Sequence, residues 1–321
     1  MQVFRGPPTA DRQRDCALAI GNFDGVHRGH RELLARAVER AREASLVPAA
    51  MTFEPHPREF FAPDAAPARI ANLRDKIEGL ARAGIERVFI ERFDWRLARL
   101  PPEEFIDDIL VRRCHARWVL VGDDFRFGAR RAGDSALLRA RADAGGYRVE
   151  QIGTVAEGAE RISSSLVRAA LSDGDLAGAA RLLGHPYRIS GRVVHGARLG
   201  RTLGFPTINL LLPRRRPAVQ GIFAVRVQGL GPAPCDGVAS VGLRPTVADA
   251  ADPRTRWLLE VHLFDFSGEV YGRLVQVEFL FKLREERKFE SLDALTRAIG
   301  EDARRARALL SSPAAFAPAG P

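Results

Sequence analysis

The ten residues Gly21-Asn22-Phe23-Asp24-Gly25-Val26-His27-Arg28-Gly29-His30 constrain this chain more than any other stretch. The apolar segment Cys16 to Ile20 precedes them and reads as a buried strand. From Arg31 to Leu46, the residues Leu33, Leu34, Ala37, Val38 and Ala41 recur at helical spacing. The stretch is therefore a strand-to-helix turn. Gly21 and Gly25 permit a tight backbone close to a ligand, and Gly29 lets the helix start press on the sheet. Free N–H groups at a helix N-terminus make an anion site. His27 and His30 share a face of the first helical turn, so both can point at that anion.

The first half continues in the same rhythm. Val47 to Phe53, Arg87 to Ile90, Trp118 to Val121 and Arg148 to Ile152 read as strands. Ile70 to Ala83, Pro102 to Arg113 and Ser135 to Ala144 read as helices between them. This alternation predicts an α/β fold with a doubly wound parallel sheet, whose ligands lie at the C-terminal strand ends. Three more motifs fall at such ends. Thr52-Phe53-Glu54-Pro55-His56-Pro57 is a loop stiffened by two prolines that hold His56 outward. Gly122-Asp123-Asp124-Phe125-Arg126-Phe127-Gly128 offers carboxylates and two aromatic faces, which suit a flat polar ring system. Arg161-Ile162-Ser163-Ser164-Ser165-Leu166-Val167-Arg168 precedes a helix, where its hydroxyls can cap and bind phosphate. Alone it is a common N-cap; its weight comes from the other three.

Asp173 to Leu183 reads as a short helix, and Gly184-His185-Pro186 then breaks the pattern. A first domain over residues 1–184 and a second over 185–310 are expected, with a disordered tail at 311–321. The second half is rich in strands: Tyr187 to His195, Gly221 to Val227, Gly237 to Val241, Trp257 to Phe266 and Leu274 to Leu283. Val275, Val277, Phe279, Phe281 and Leu283 alternate with mostly polar residues, as in a half-buried antiparallel strand. A helix follows from Leu292 to Leu310. Antiparallel strands with one terminal helix predict a small closed β-barrel.

Its chemistry begins at Gly196-Ala197-Arg198-Leu199-Gly200-Arg201-Thr202-Leu203-Gly204-Phe205-Pro206-Thr207-Ile208-Asn209. Glycines and arginines in one loop suit a flap over phosphates. Thr207 and Asn209 point the same way on an extended segment and offer oxygens to a hard cation such as Mg²⁺. Glu260 sits inside an apolar strand, where burial is expected to raise its pKa into the range of a general base. A salt bridge to an arginine is the structural alternative for it. Leu283-Arg284-Glu285-Glu286-Arg287-Lys288-Phe289 by itself reads as a solvated charge run.

The four N-terminal motifs, together with Gly204-Phe205-Pro206-Thr207-Ile208-Asn209-Leu210 and Gly237 to Thr246, resemble the prokaryotic bifunctional riboflavin kinases/FAD synthetases. The resemblance runs from about Cys16 to Leu310. It implies an enzyme that phosphorylates riboflavin with ATP to FMN, then adenylylates FMN with ATP to FAD, releasing pyrophosphate. It implies ATP contacts from Gly21, Phe23, Asp24, Gly25, His27, Gly29 and His30, with Ser163, Ser164, Ser165 and Arg168. It implies a second ATP flap from Gly196, Arg198, Gly200, Arg201, Gly204 and Pro206. Glu54, His56, Pro57, Asp124, Phe125, Phe127, Arg284 and Phe289 would touch flavin, Thr207 and Asn209 would hold Mg²⁺, and Glu260 would be the kinase base. Ser165 stands where relatives often carry Thr, and Asp124 where some carry Asn. A narrower alternative stays open: a riboflavin kinase whose N-terminal half binds nucleotide without turning it over.

Composition narrows the other classes. The net charge is +9, but the arginines are dispersed without aromatic interleaving, so small phosphate-rich substrates are expected and nucleic acid is not. No apolar run approaches a membrane span and no signal-peptide core opens the chain, so a cytoplasmic protein without membrane partners is expected. A weak homo-oligomer is left open. Cys16, Cys114 and Cys235 are too few and too far apart for a disulfide framework or a zinc site.

Overall fold

Strand β2 (Cys16–Ile20) is buried at every residue, which explains its unbroken apolar run: a central parallel strand is covered on both faces. The computed structural model describes residues 1–6, 14–153, 156–157, 160–196, 204–212, 216–243 and 257–312. By packing, the chain divides into two units, Met1–Pro67 with Lys76–Ser163, and Ala68–Asp75 with Ser164–Pro321.

In the first unit β2 joins β1 (Gln2–Arg5), β3 (Val47–Glu54), β4 (Arg87–Arg92), β5 (Ala116–Gly122) and β6 (Arg148–Ile152). The six strands are parallel, in the order β1-β4-β3-β2-β5-β6. The chain runs from β2 outward through β3 and β4, then returns to the other side of β2 with β5. The switch between β2 and β5 is where such sheets open a crevice at their C-terminal ends. Helix α1 (Arg28–Glu43) follows β2 and buries Leu33, Leu34, Ala37 and Ala41, as the spacing predicts. Further along come α2 (Pro57–Phe61) and α3 (Leu73–Arg82).

Three local differences have physical causes. β1 escapes the sequence pattern because it is mostly exposed and, among the described residues, pairs with β4 alone at the sheet's edge. The helix expected over Pro102 to Arg113 is π-helical from Phe105 to Arg113. Its wider turn brings Phe105, Ile106, Ile109 and Leu110 onto one buried face. The helix expected over Ser135 to Ala144 breaks at Arg141 into Ser135–Ala140 and Ala142–Gly145.

The second unit holds α4 (Ser164–Asp173), α5 (Leu176–Leu183) and the strands β7 (Tyr187–Val194), β8 (Thr207–Leu211), β9 (Gly221–Gln228), β10 (Cys235–Leu243), β11 (Trp257–Leu263) and β12 (Leu274–Arg284). These strands close an antiparallel barrel in the order β8-β11-β10-β9-β12-β7. The sequence showed five of them as strands; β8 supplies the sixth and closes the ring between β7 and β11. Residues 68–75 group with the barrel through Ser190 of β7. The Ser190 N–H donates to Asp75 Oδ2 at 3.0 Å and its carbonyl accepts from Asn72 Nδ2 at 2.9 Å. Helix α6 (Leu292–Leu310), capped by Ser291, packs Ala306 and Leu310 against Ala224, Val238, Phe264 and Leu283. The division by packing thus falls at Ser163/Ser164, upstream of the Gly184 break where the periodicity changes. The expected tail lies almost wholly outside the described residues.

The three cysteines are free thiols. No helix among the described residues is long and apolar enough to cross a membrane.

Candidate active sites

The turn after β2 is built from buried residues. Phe23, Asp24 and His27 are all buried, and Phe23 and Val26 adopt left-handed φ angles of 48° and 41°. Gly25, at φ +84°, is the position that needs glycine. His27 caps α1: its Nδ1 accepts the backbone N–H of His30 at 3.3 Å. A ring nitrogen that accepts an N–H carries no proton, so a neutral His27 holds its hydrogen on Nε2. The two imidazoles stack with centroids 3.6 Å apart, and the Phe23 ring meets His30 edge-on at 5.3 Å. The helical spacing thus brings both histidines together at the start of α1. A Cβ on Gly29 would lie 3.1 Å from the carbonyl oxygen of Ile162, so the turn packs directly against the residue before Ser163. Gly21 likewise has the Phe23 ring 3.1 Å from where a Cβ would stand.

The other expected residues of this half differ in exposure. His56 caps α2, accepting the Arg58 N–H at 3.1 Å while Glu59 reaches back to the His56 N–H, and Pro57 opens the helix. Glu54 ends β3 just before this cap. Asp124 is exposed and accepts from Arg161 at 3.0 Å. Phe127 is buried, stacked on Phe125 and packed on Phe105, so it supports the loop from within. Ser163 ends the first unit, whereas Ser164, Ser165 and Arg168 belong to the second, where Arg168 Nε donates to the Ala68 carbonyl at 2.6 Å. Sequence reasoning passes over Phe61 and Trp95. They are exposed rings that meet edge-on beside Phe60 and Phe93, immediately after the His56-Pro57 cap. Large exposed aromatics in a short Pro-Arg-Glu-Phe-Phe helix are the available signal.

In the barrel, β8 and β11 pair so that Thr207 lies opposite His262 and Asn209 opposite Glu260. Cross-strand partners share a face, so the four side chains line one side of the barrel wall. Asn209 is buried, and its Oδ1 has no hydrogen-bond partner among the described residues. A Cβ on Gly196 would collide with the Asn209 amide, so glycine is what lets this loop approach. Gly204 is left-handed at φ +85°. The Pro206 carbonyl accepts from His262 Nδ1 at 2.9 Å, which places the ring hydrogen on that nitrogen. Arg198, Gly200 and Arg201 lie outside the described residues.

One expectation is corrected. The apolar strand around Glu260 predicts a buried carboxyl, but the residue is exposed. Its neighbours Leu259 and Val261 turn inward and account for the apolar strand, while Glu260 lies on the open face. The alternation of the sheet separates the two.

Ser240 of β10 lies opposite Glu260 on its other side, and its hydroxyl donates to Glu286 Oε1 at 3.2 Å. The Glu286 carboxyl lies against Gly242. This desolvation raises its pKa above the ordinary value, opposed by the Ser240 and Gln220 hydrogen bonds. Glu286 is hidden in what reads as a charge run. Arg284 makes bonds of 3.0 and 2.6 Å to the Asp302 carboxylate of α6, and Phe289 lies under the guanidinium groups of both Arg284 and Arg287.

The FAD synthetase family matches residues 9–166 and the riboflavin kinase family matches residues 183–310. A bifunctional riboflavin kinase/FMN adenylyltransferase of Escherichia coli K12 is 49% identical over 309 residues, covering 96% of this chain and 97% of that one. The chain belongs to the bifunctional riboflavin kinase/FMN adenylyltransferase family. A member from Haemophilus influenzae is 44% identical over 313 residues, covering 97% of this chain and 100% of its own. A crystal structure titled as a macrolide-efflux protein from Streptococcus pneumoniae superposes with a TM-score of 0.74 at 29% identity, covering 95% of this chain and 98% of that one. The family likeness therefore spans both the parallel sheet and the barrel.

Proposed function

We propose that this chain converts riboflavin to FAD in two ATP-dependent steps, with residues 185–310 as the kinase and residues 1–184 as the adenylyltransferase. What supports the proposal is that each half groups residues suited to handling phosphate: the stacked His27 and His30 at the start of α1, and Thr207, Asn209 and Glu260 on one barrel face.

In the kinase step Glu260 takes the proton from the ribityl 5′-hydroxyl as its oxygen attacks the γ-phosphorus, and ADP leaves. Its exposed position leaves it reachable by substrate. The residues present fit Mg²⁺, since the buried Asn209 Oδ1 offers an acceptor without a protein partner among the described residues and Thr207 adds a hydroxyl. Such an ion, when bound, neutralises charge on the transferring phosphate. The Arg284–Phe289 loop covers the flavin.

In the second step a phosphate oxygen of FMN attacks the α-phosphorus of ATP, the bond to the β-phosphate oxygen breaks, and pyrophosphate leaves. This needs no side-chain nucleophile. It needs in-line positioning and stabilisation of the developing charge, which the α1 N–H groups and the two imidazoles supply. Phe61 and Trp95 offer apolar faces beside the Glu54–Pro57 loop for the flavin ring.

Incubation with riboflavin, ATP and Mg²⁺, followed by separation of FMN from FAD, tests the proposal. FMN and FAD are both expected. FMN alone would leave only the kinase.

A further inference from the structure

Lysine is nearly absent from this chain: its 49 Lys plus Arg residues include only Lys76, Lys282 and Lys288. Lysine and arginine are not interchangeable, since a guanidinium fork cannot replace a slim single-point donor in a tight buried site. Lys76, on α3, is 3% exposed. Its Nζ donates to Thr52 Oγ1 at 3.2 Å, and the fully buried Thr52 donates to the Asn22 carbonyl at 3.0 Å. The direction of this chain of bonds is fixed from its end. A carbonyl only accepts, so the one hydroxyl hydrogen of Thr52 points at Asn22, and the oxygen of Thr52 is left to accept from Lys76.

Asn22 is the second residue of the histidine turn. Phe23 and Val26 after it hold left-handed φ angles that side chains with a Cβ disfavour. Such a backbone persists only where its surroundings impose it. Helix α3 imposes it twice. One helical turn beyond Lys76, Gly79 faces Val26 so closely that a Cβ there would come within 2.8 Å of Val26 Cγ2. One face of α3 thus holds the turn at Asn22, through Thr52, and again at Val26.

We infer that Lys76 is a positioning residue for the transfer of AMP to FMN. Through Thr52 it sets the Asn22 carbonyl, and with it the backbone that presents His27 and His30. The inference rests on this turn being the nucleotide site of that reaction.

The test uses the full chain. Lys76→Met keeps the buried stem and removes the donor; Thr52→Val keeps the shape and removes the hydroxyl; Thr52→Ser keeps the hydroxyl. For each, kcat and KM for ATP are measured in FAD formation from FMN, alongside the melting curve and riboflavin phosphorylation. Lys76→Met and Thr52→Val should each lower kcat for FAD roughly 10- to 100-fold, the scale of a small misplacement of reacting groups. The double variant should lose no more than either single one, because both act through one chain of bonds. Thr52→Ser should stay near the parent, and riboflavin phosphorylation should be unchanged in all. Parent kcat in Thr52→Val, whatever its melting temperature, would overturn the inference, as would losses that multiply in the double variant. Should Lys76→Met not fold, the contrast between Thr52→Val and Thr52→Ser decides alone. His30→Ala separates the two layers. If it leaves FAD formation intact, the nucleotide turn itself is misassigned; if it stops FAD formation while the Thr52 variants do not, only the role of Lys76 falls.

Discussion

Asn209 and Glu260 stand directly opposite each other on paired strands of the barrel, although about 50 residues separate them in the chain. Antiparallel register sets the residue proposed to offer an oxygen to a cation beside the residue proposed to take the proton. Thr207 and His262, the next pair on that face, extend the same row.

Glu260→Gln keeps the shape of the side chain and removes the basic oxygen. Riboflavin phosphorylation should fall on the order of 10² to 10⁴ in kcat, with riboflavin affinity little changed. FAD formation from supplied FMN should continue. Because Glu260 is exposed, the melting temperature should stay at the parent value. A variant that melts early yet keeps its turnover would show a structural role instead.

His30→Ala removes one of the two stacked rings at the start of α1. FAD formation should stop, while FMN formation from riboflavin continues. Equal loss of both activities, measured by product separation in one reaction, would contradict two separate phosphate sites.

Gly79→Ala reads the crowding beneath the histidine turn. In an ordinary helix interior this change adds about 1 kcal/mol of stability. Here the new Cβ would press on the buried Val26 at 2.8 Å. FAD formation should fall roughly tenfold with no gain in melting temperature, and riboflavin phosphorylation should be unaffected. A higher melting temperature with full FAD activity would show that the turn adjusts freely.

Glu91 supplies a pH signature. It is buried on β4, and its Oε1 has no hydrogen-bond partner among the described residues. Burial pushes its carboxyl up to about 7, with Arg113 lowering and Asp108 raising it further. The folded state therefore holds this proton more tightly than the unfolded chain does. Its contribution to stability is complete below the ordinary value of 4.5 and is lost as pH rises through 7. At about 1.4 kcal/mol per pH unit, the whole effect is on the order of 3 kcal/mol. Melting of the parent between pH 5 and 8 should fall with pH, and Glu91→Gln should flatten that slope. Equal slopes in the two proteins would remove Glu91 as the cause.

Much of this architecture can be read from the chain because its signals are local. The apolar run before Gly21, the helical spacing after it and the Ser291 cap before α6 each depend on neighbours a few residues away. What escapes depends on partners far along the chain. Gln2–Arg5 becomes a strand only because β4 receives it, and Thr207–Leu211 becomes one only because β7 and β11 flank it. The exposure of Glu260 follows from which face of the sheet turns inward, and an apolar strand buried on one face looks much like one buried on both. Glu286 needs Ser240 across the fold to distinguish it from the charges around it. Lys76 is visible as a rarity among arginines, but its task emerges only with Thr52 and Asn22 in place.

The bond from Arg284 to Asp302 ties the last helix to the end of the barrel's last strand. Asp302 lies within the last helix, and its carboxylate holds the guanidinium that lies over Phe289. A chain trimmed to the six barrel strands would retain Thr207, Asn209 and Glu260 and still lose the anchor of the loop proposed to cover the flavin. On that proposal the final helix belongs to the kinase's minimal unit, and a shortened, fused or grafted version is expected to keep its activity only if it carries the chain beyond Asp302.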